Sequence, residues 1–160
     1  MGAEVRRRGL ELASVYVGDF PVEKSVQAGI EGLTHLIDCC AAARSPRALI
    51  GGTGKPELVQ PYYKVVAECC DYAASKNIGI SVKPHGGTNA TAAQCRKIIE
   101  MVGRKNFGMW YDPGNIFYYS DGKVDPLDDV PDARGLIVGM SIKDYKPPKE
   151  VLVTPGTGLV

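Results

Sequence analysis

The sequence has 160 residues, which is enough for one domain with its own hydrophobic core. Hydrophobic residues make up 44% and charged residues 23% of the chain, and the formal net charge of +1 gives no sign of a nucleic-acid or anionic-membrane partner. No apolar run approaches the ~20 residues that a membrane span needs, and the N-terminus lacks the apolar core of a signal peptide. These features predict a soluble cytoplasmic protein that binds neither nucleic acid nor membrane.

The cysteines are odd in number and fall within segments that are typical of helices. They are Cys39, Cys40, Cys69, Cys70 and Cys95. Adjacent residues of a helix point about 100° apart, so Cys39 and Cys40 cannot form a metal-binding pair like C-x-x-C. We expect reduced cysteines with a packing role.

In the first half of the chain, short apolar runs alternate with longer segments of helical periodicity. Strands are predicted over residues 11–17 and 47–52. Helices are predicted over residues 21–43 and 59–76, the first because apolar side chains recur at three- and four-residue steps from Val26 to Ile37.

The second half continues this alternation. Strands are predicted over residues 79–83, 107–112 and 136–141, with helices over residues 91–102 and 125–129. Residues 116–119 are predicted to be a loop, either a lid or a packed segment.

Five strand–helix units at a spacing of roughly 30 residues predict an α/β fold with parallel strands, because parallel strands need crossovers of a dozen or more residues. Two architectures fit: an open doubly wound sheet, and part of an eight-stranded barrel. A partial barrel has open strand edges, which favour self-association, so a homodimer that covers them is a further expectation.

Three polar residues lie near the ends of the last three predicted strands. They are Lys83, Asp112 and Ser141, each 29 residues after the one before it. Parallel strands bring their C-terminal ends to one edge, where α/β proteins place their functional groups, so these side chains are expected to converge. His85 shares a strand face with Lys83, and Lys143 shares one with Ser141.

Each of these residues also has an ordinary structural interpretation. Asp112 begins an Asp-Pro-Gly sequence that favours a turn, although a carboxylate at a strand end can also bind a cation or orient a hydroxyl group. Lys83 can be a solvated lysine in a surface turn. Lys143 and Asp144 can form a simple surface pair.

A glycine-rich segment at residues 51–55 suggests a phosphate-binding P-loop but does not match it. The first glycine of that motif falls on Leu49, and the residue after the lysine is Pro56. The segment is either a loop that faces a substrate or an ordinary connection. His35 lies inside a predicted helix, where a structural role is expected.

The segments at residues 80–85, 107–115, 139–144 and 155–160 resemble the xylose isomerase-like TIM-barrel superfamily, the sugar phosphate isomerase/epimerase group. The resemblance extends from about Leu10 to the C-terminus. It implies that residues 1–160 form a single partial domain with about five of the eight barrel strands.

In that family a Glu, an Asp, a His and a second Glu usually hold a divalent metal. The resemblance carries the Asp onto Asp112, the only matching ligand, whereas Lys83 takes the place of the first Glu and Ser141 that of the His. Asn115 takes the place of a His that contacts substrate. A protonated lysine cannot ligate a metal, so we expect at most weak divalent-metal binding and a salt bridge between Lys83 and Asp112.

The resemblance thus implies a sugar isomerase- or epimerase-like protein with a small carbohydrate as ligand. Lys83 and Asp112 are the candidate catalytic residues, and His85, Asn115, Ser141 and Lys143 the candidate substrate-binding residues. Two alternatives stay open: a catalytically silent carbohydrate or polyol binder, and a fragment of a longer metal-dependent isomerase. The abasic-site endonuclease branch of the superfamily is disfavoured, because its multi-zinc site is rich in histidine and this chain has 2 histidines.

Overall fold

The computed structural model describes residues 2–160, in which five parallel strands form one sheet. The strands are β1 (Val15–Tyr16), β2 (Arg47–Ile50), β3 (Gly79–Val82), β4 (Phe107–Tyr111) and β5 (Ile137–Met140). Their order in the sheet is the same as their order in the chain.

The helices fill the connections between the strands. They are α1 (Gly2–Arg7), α2 (Val26–Ala43), α3 (Val59–Ser75), α4 (Ala92–Val102), α5 (Pro113–Tyr119) and α6 (Pro126–Asp129). Short 3₁₀ turns lie at Pro56–Leu58, Gly87–Asn89 and Val130–Ala133.

The sequential strand order decides between the two predicted architectures. A doubly wound sheet reverses its strand order at a switch point, whereas here each strand pairs with the next one along the chain from β1 to β5. The prediction of partial-barrel βα units is therefore confirmed, and the doubly wound alternative is wrong.

The hydrophobic core lies between the sheet and helices α2, α3 and α4. Each large apolar side chain buried there contributes roughly 1.5–3 kcal/mol through removal from water. Fully buried members include Leu33, Ile37, Val65, Val66, Ile80, Val82 and Met109. This core fixes the strands and so fixes the positions of the residues that follow them.

The register brings the strand ends to a common level. Val82 pairs with Ile50 on one side and Met109 on the other, and Tyr111 pairs with Met140. The residues that come next on β3, β4 and β5 therefore emerge at one edge of the sheet.

The two largest boundary differences from the sequence prediction lie at β1 and α2. β1 covers two residues rather than residues 11–17. α2 begins at Val26 rather than at residue 21, because the Ser25 hydroxyl accepts a hydrogen bond from the Ala28 backbone N–H at 3.0 Å and caps the helix there.

Residues 113–119 form helix α5, so the prediction of a loop at residues 116–119 is wrong. The Asp112 carboxylate caps the first turn of α5, and Pro113 occupies the first helical position, where its missing N–H costs no helical hydrogen bond.

All five cysteines are free, and only Cys39 is exposed. Within residues 2–160, no helix combines the length and the apolar character that crossing a membrane would require.

At β5 the side chains of Val138, Met140 and Ile142 are 42%, 50% and 81% exposed, so the outermost strand presents an apolar surface.

Candidate functional site

An ion pair links the ends of β3 and β4. The Lys83 Nζ atom lies 3.4 Å from Asp112 Oδ2, and the two side chains are 16% and 1% exposed. Lys83 Nζ also lies over the ring of Tyr16, 5.7 Å from its centroid. The salt bridge expected from the sequence is therefore present, in a largely water-excluded position where a charge interaction is stronger than at the surface.

Asp112 serves the local fold and the site together. Its Oδ1 atom accepts a hydrogen bond from the Asn115 backbone N–H at 3.0 Å, while its Oδ2 atom faces Lys83. Asp112 therefore caps helix α5 with one carboxylate oxygen and pairs with Lys83 through the other.

Asn115 is fixed by hydrogen bonds at both ends of its amide. Its Nδ2 donates to the Pro84 carbonyl at 2.6 Å, and its Oδ1 accepts from Lys143 Nζ. Gly114 makes room for Lys143, because a Cβ at residue 114 would lie 2.9 Å from the Lys143 Cγ. The predicted residues Asn115 and Lys143 are thus in direct contact.

Ser141 lies at the end of β5 and accepts a hydrogen bond from Trp110 Nε1 at 3.1 Å. The Trp110 ring crosses Gly139, where a Cβ would overlap it at 2.2 Å. The indole therefore occupies the space beside Ser141, and the serine hydroxyl keeps its own proton free to donate.

His85 lies at the exposed rim between two aromatic rings, 6.1 Å from Tyr16 and 5.3 Å from Tyr119 by ring centroids. Desolvation, followed by the positive charges of Lys83 and Lys143, lowers the pKa of His85. Desolvation also lowers the pKa of Lys143, with Lys83 acting in the same direction and Asp112 opposing it. The neutral forms of both side chains are thereby favoured.

A cavity of about 740 Å³ opens beside this centre, between the segments that follow β1 and β2. Sequence reasoning missed Tyr16, Asp19 and Tyr62, which line it together with His85. Tyr16 ends an apolar strand, as Lys83 does, so the sequence contained a signal that Tyr16 belongs to the site. Tyr62 lies in a helix, and the sequence contained no such signal for it. The glycine-rich segment, left open by the sequence, lines the cavity from residue 51 to residue 55.

Asp144 is buried, so the surface-pair interpretation of Lys143 and Asp144 is wrong. The Asp144 carboxylate accepts backbone hydrogen bonds from Tyr145 and from the C-terminal turn, at 2.7–3.0 Å; the donors in that turn are Gly156, Thr157, Gly158 and Val160. The Val160 N–H contributes most to lowering the pKa of Asp144 to about 2. This carboxylate shapes the turn that follows β5.

The donor set at the strand ends does not suit a divalent cation. Lys83 places an ammonium group against Asp112, the one carboxylate of the centre, and Lys143 adds a second cationic side chain nearby. Among residues 2–160, His, Cys, Asp and Glu side chains form no group of three or more that could hold a metal ion. A hard divalent ion needs several oxygen or nitrogen ligands, so these residues do not fit one.

Consecutive parallel βα units with polar residues at the strand ends define a β/α-barrel protein. The family model described as xylose isomerase-like TIM barrel matches residues 1–160, and the chain belongs to that family. No curated protein matches the sequence.

Solved structures of the same family share the fold. The xylose isomerase domain protein from Planctomyces limnophilus is 18% identical with a TM-score of 0.74, and 98% of this chain matches 65% of that one. A xylose isomerase-like TIM barrel protein from Mycobacterium smegmatis, in complex with magnesium, is 16% identical with a TM-score of 0.76, the match covering 99% of this chain and 62% of that one.

Sugar epimerases are also among the similar structures. D-allulose 3-epimerase from Methylomonas sp., in complex with D-allulose, is 17% identical with a TM-score of 0.69, covering 94% of this chain and 59% of that one. The chain thus spans less than two thirds of the length of these proteins, and the shared feature at such identities is the fold.

Proposed function

We propose that this chain binds a small carbohydrate at its strand ends, as a sugar isomerase- or epimerase-like protein in which an internal ion pair takes the place of a tightly held metal. In this proposal residues 1–160 act as a single partial barrel domain. Lys83 and Asp112 form the centre, and His85, Asn115, Ser141 and Lys143 supply hydrogen bonds to the ligand.

The observation that carries the proposal is the Lys83–Asp112 pair at 3.4 Å, with both side chains shielded from water. An ammonium group in this position repels a cation and donates hydrogen bonds. The His85 ring and the Lys143 ammonium group lie within electrostatic reach of this pair, and Ser141 follows β5 at the same edge of the sheet. Such a mixture of donors and acceptors suits the hydroxyl and carbonyl groups of a sugar.

Metal dependence is the direct test. We expect protein purified without chelator to contain no stoichiometric divalent metal, and D-allulose binding measured by calorimetry to be unchanged by EDTA. Stoichiometric metal, or binding that EDTA abolishes, would overturn the ion-pair proposal.

A substitution at Lys83 sharpens this test. Lys83→Glu places a second carboxylate beside Asp112, so we expect added Mn²⁺ to raise its thermal midpoint. Lys83→Gln removes the same positive charge without adding a carboxylate. Added Mn²⁺ should therefore raise the thermal midpoint of this variant no more than that of the wild type. An equal response of the two variants would contradict the assignment of this position.

Proton transfer next to a sugar carbonyl is the second candidate function. Burial and the charge of Lys83 lower the pKa of Lys143, which is the property that a lysine base needs. Incubation of D-allulose in D₂O, followed by NMR, would detect exchange of the proton next to the carbonyl. Exchange that Lys143→Met abolishes would support catalysis, whereas its absence in the wild type would favour the binding protein.

We also propose a homodimer in which β5, the outermost strand, meets its counterpart in a second copy. Support comes from its exposed apolar side chains and from the unpaired backbone groups along an outer strand. The cytoplasmic location stays a prediction from the sequence.

A further inference from the structure

Two lysines at the strand ends have different partners. Lys83 Nζ forms an ion pair with Asp112 across 3.4 Å. Lys143 Nζ donates to the Asn115 amide oxygen instead, and among the described residues it forms no salt bridge. A neutral amide oxygen stabilises an ammonium group less than a carboxylate does. Within the described part of the chain, Lys143 is therefore the lysine of this site without a carboxylate partner.

The groups around Lys143 favour its neutral amine. Desolvation lowers the pKa of Lys143, Lys83 at the end of β3 adds to this effect, and Asp112 after β4 opposes it. The carboxylate of Asp144, the next residue in the chain, accepts the backbone N–H groups of the C-terminal turn. An unprotonated lysine carries a lone pair on nitrogen and is a nucleophile, and burial or a neighbouring cation activates it.

The Lys143 side chain is held in place along its length. Its stem lies against Gly114, where a Cβ would come within 2.9 Å of the Lys143 Cγ. The Asn115 oxygen that accepts from Nζ is itself fixed, because Asn115 Nδ2 donates to the Pro84 carbonyl at 2.6 Å. One N–H of a neutral amine is enough for this hydrogen bond, so the lone pair stays available for attack on a carbonyl carbon.

A second cavity, of about 200 Å³, is lined by Lys143 and Ser141. Pro113 and residues of the C-terminal turn belong to the same lining. The volume lies below the roughly 300–1,000 Å³ of sites for drug-sized ligands, so it suits a small molecule of about two or three carbons. The Ser141 hydroxyl accepts from Trp110 Nε1 at 3.1 Å, which leaves its own proton to donate to a carbonyl oxygen.

We propose that Lys143 forms an imine with a short-chain aldehyde or ketone bound in this cavity. The Nζ lone pair attacks the carbonyl carbon, a C–N bond forms, and the carbonyl electron pair moves to oxygen. The oxygen gains a proton and the nitrogen loses one, which gives a carbinolamine. Uptake of a further proton from solvent and loss of water then leave a protonated imine, so no oxidant or reductant is consumed.

Such an imine supplies the electron withdrawal for which the strand-end donor set does not hold a divalent cation. Its positive nitrogen polarises the adjacent carbon, as a metal ion polarises a carbonyl group. The inference goes beyond the carbohydrate-binding function proposed above, because it assigns a covalent step and a smaller ligand to Lys143. It also stands without D-allulose binding, which is measured separately.

The test traps the imine in the full wild-type chain. Glycolaldehyde is added with cyanoborohydride, which reduces an imine to a stable secondary amine, and peptide mass spectrometry measures the labelling rate of each lysine at neutral pH. We expect Lys143 to be labelled on the order of tenfold faster than Lys146, since binding in the cavity raises the local concentration of the aldehyde. Lys146 is the internal control, because it is also half-buried but does not line the cavity. Equal labelling of the two lysines would overturn the imine.

Variants separate this reactivity from ordinary surface labelling. Lys83→Met should slow the labelling of Lys143, because it removes a charge that lowers the pKa of Lys143. Lys97→Met, at an exposed lysine of α4, should leave the rate unchanged. A rate in Lys83→Met equal to that of the wild type would overturn the activation of Lys143 by its surroundings.

Calorimetry with D-allulose on the same wild-type protein keeps the two proposals apart. D-allulose binding without trapping at Lys143 would support the carbohydrate-binding function and overturn the imine. Trapping at Lys143 without D-allulose binding would support the imine and contradict the carbohydrate-binding function.

Discussion

Lys83 sets the charge balance of the strand-end site. Its ammonium group faces the Asp112 carboxylate and lies within electrostatic reach of His85 and Lys143. Without Lys83 the Asp112 carboxylate would lose its ion-pair partner. The charge of Lys83 therefore adds to desolvation in lowering the pKa values of His85 and Lys143.

Removing this charge should raise two pKa values. Lys83 lowers the pKa of His85 and of Lys143, while Asp112 raises both, so Lys83→Met shifts each pKa upward. In the wild type the neutral form of His85 is favoured, and the variant should bind its proton at higher pH. NMR titration of the His85 ring and the Lys143 side chain measures both shifts.

Lys97→Met is the control for this experiment, because Lys97 is an exposed lysine of α4 and does not act on either group. Its His85 titration should match the wild type. An unchanged His85 pKa in Lys83→Met would mean that the Lys83 charge does not reach the ring.

The sequence predicted the meeting of Lys83 and Asp112 because parallel topology and equal spacing fix it. It left two interpretations of Asp112 open, since Asp-Pro-Gly favours a turn while a carboxylate at a strand end can also serve a binding site. The sequence did not indicate that Tyr62 lines the cavity beside the site, because this residue lies in a helix. A helical tyrosine in an apolar stripe predicts packing, and packing is what its ring does.

At the scale of elements, the C-terminal turn is held by one carboxylate. Asp144 follows β5, and its carboxylate accepts hydrogen bonds from the backbone N–H groups of residues 156–158 and 160. Asp144→Asn keeps the shape but turns an N–H₂ group toward these donors. We expect hydrogen exchange at Gly156, Gly158 and Val160 to accelerate on the order of tenfold, measured at neutral pH.

Acid should have the same effect on the wild type. The pKa of Asp144 is lowered from 3.8 to about 2 in the folded chain, so its stabilising contribution is full above about pH 4 and is lost as the pH falls toward 2. Asp144→Asn should lack this pH dependence in the turn. Asp71→Asn, at an exposed carboxylate of α3, should behave as the wild type does. Equal exchange rates in all three proteins would contradict this role of Asp144.

Element boundaries were predicted well where the helical pattern was long. They were predicted poorly where a capping residue sets the start of the helix. The pattern of α3 and α4 gave their extents to within about a residue. α5 was missed because it is seven residues long and begins with Asp-Pro-Gly, a sequence that equally favours a turn. β1 pairs with β2 over two residues only, and no local sequence feature marks that.

At the scale of the whole molecule, the sheet ends at β5 with apolar side chains in contact with water. Val138 and Met140 lie two residues apart on β5 and so share one face, and the exposed Ile142 follows just after the strand. An outer strand also presents unpaired N–H and C=O groups, which pair readily with another strand. In the proposed homodimer, a second copy of the chain would supply both an apolar face and a complementary row of hydrogen-bonding groups.

A charge on this face should therefore weaken self-association. Sedimentation equilibrium should give a dimer for the wild-type chain, and Met140→Lys should raise the dimer dissociation constant at least about tenfold, because the lysine charge would lose its hydration in the interface. Met101→Lys is the matched control: Met101 lies on α4 and is 41% exposed, against 50% for Met140. A chain that stays monomeric at every concentration, or two variants that dissociate equally, would show that β5 does not join two copies.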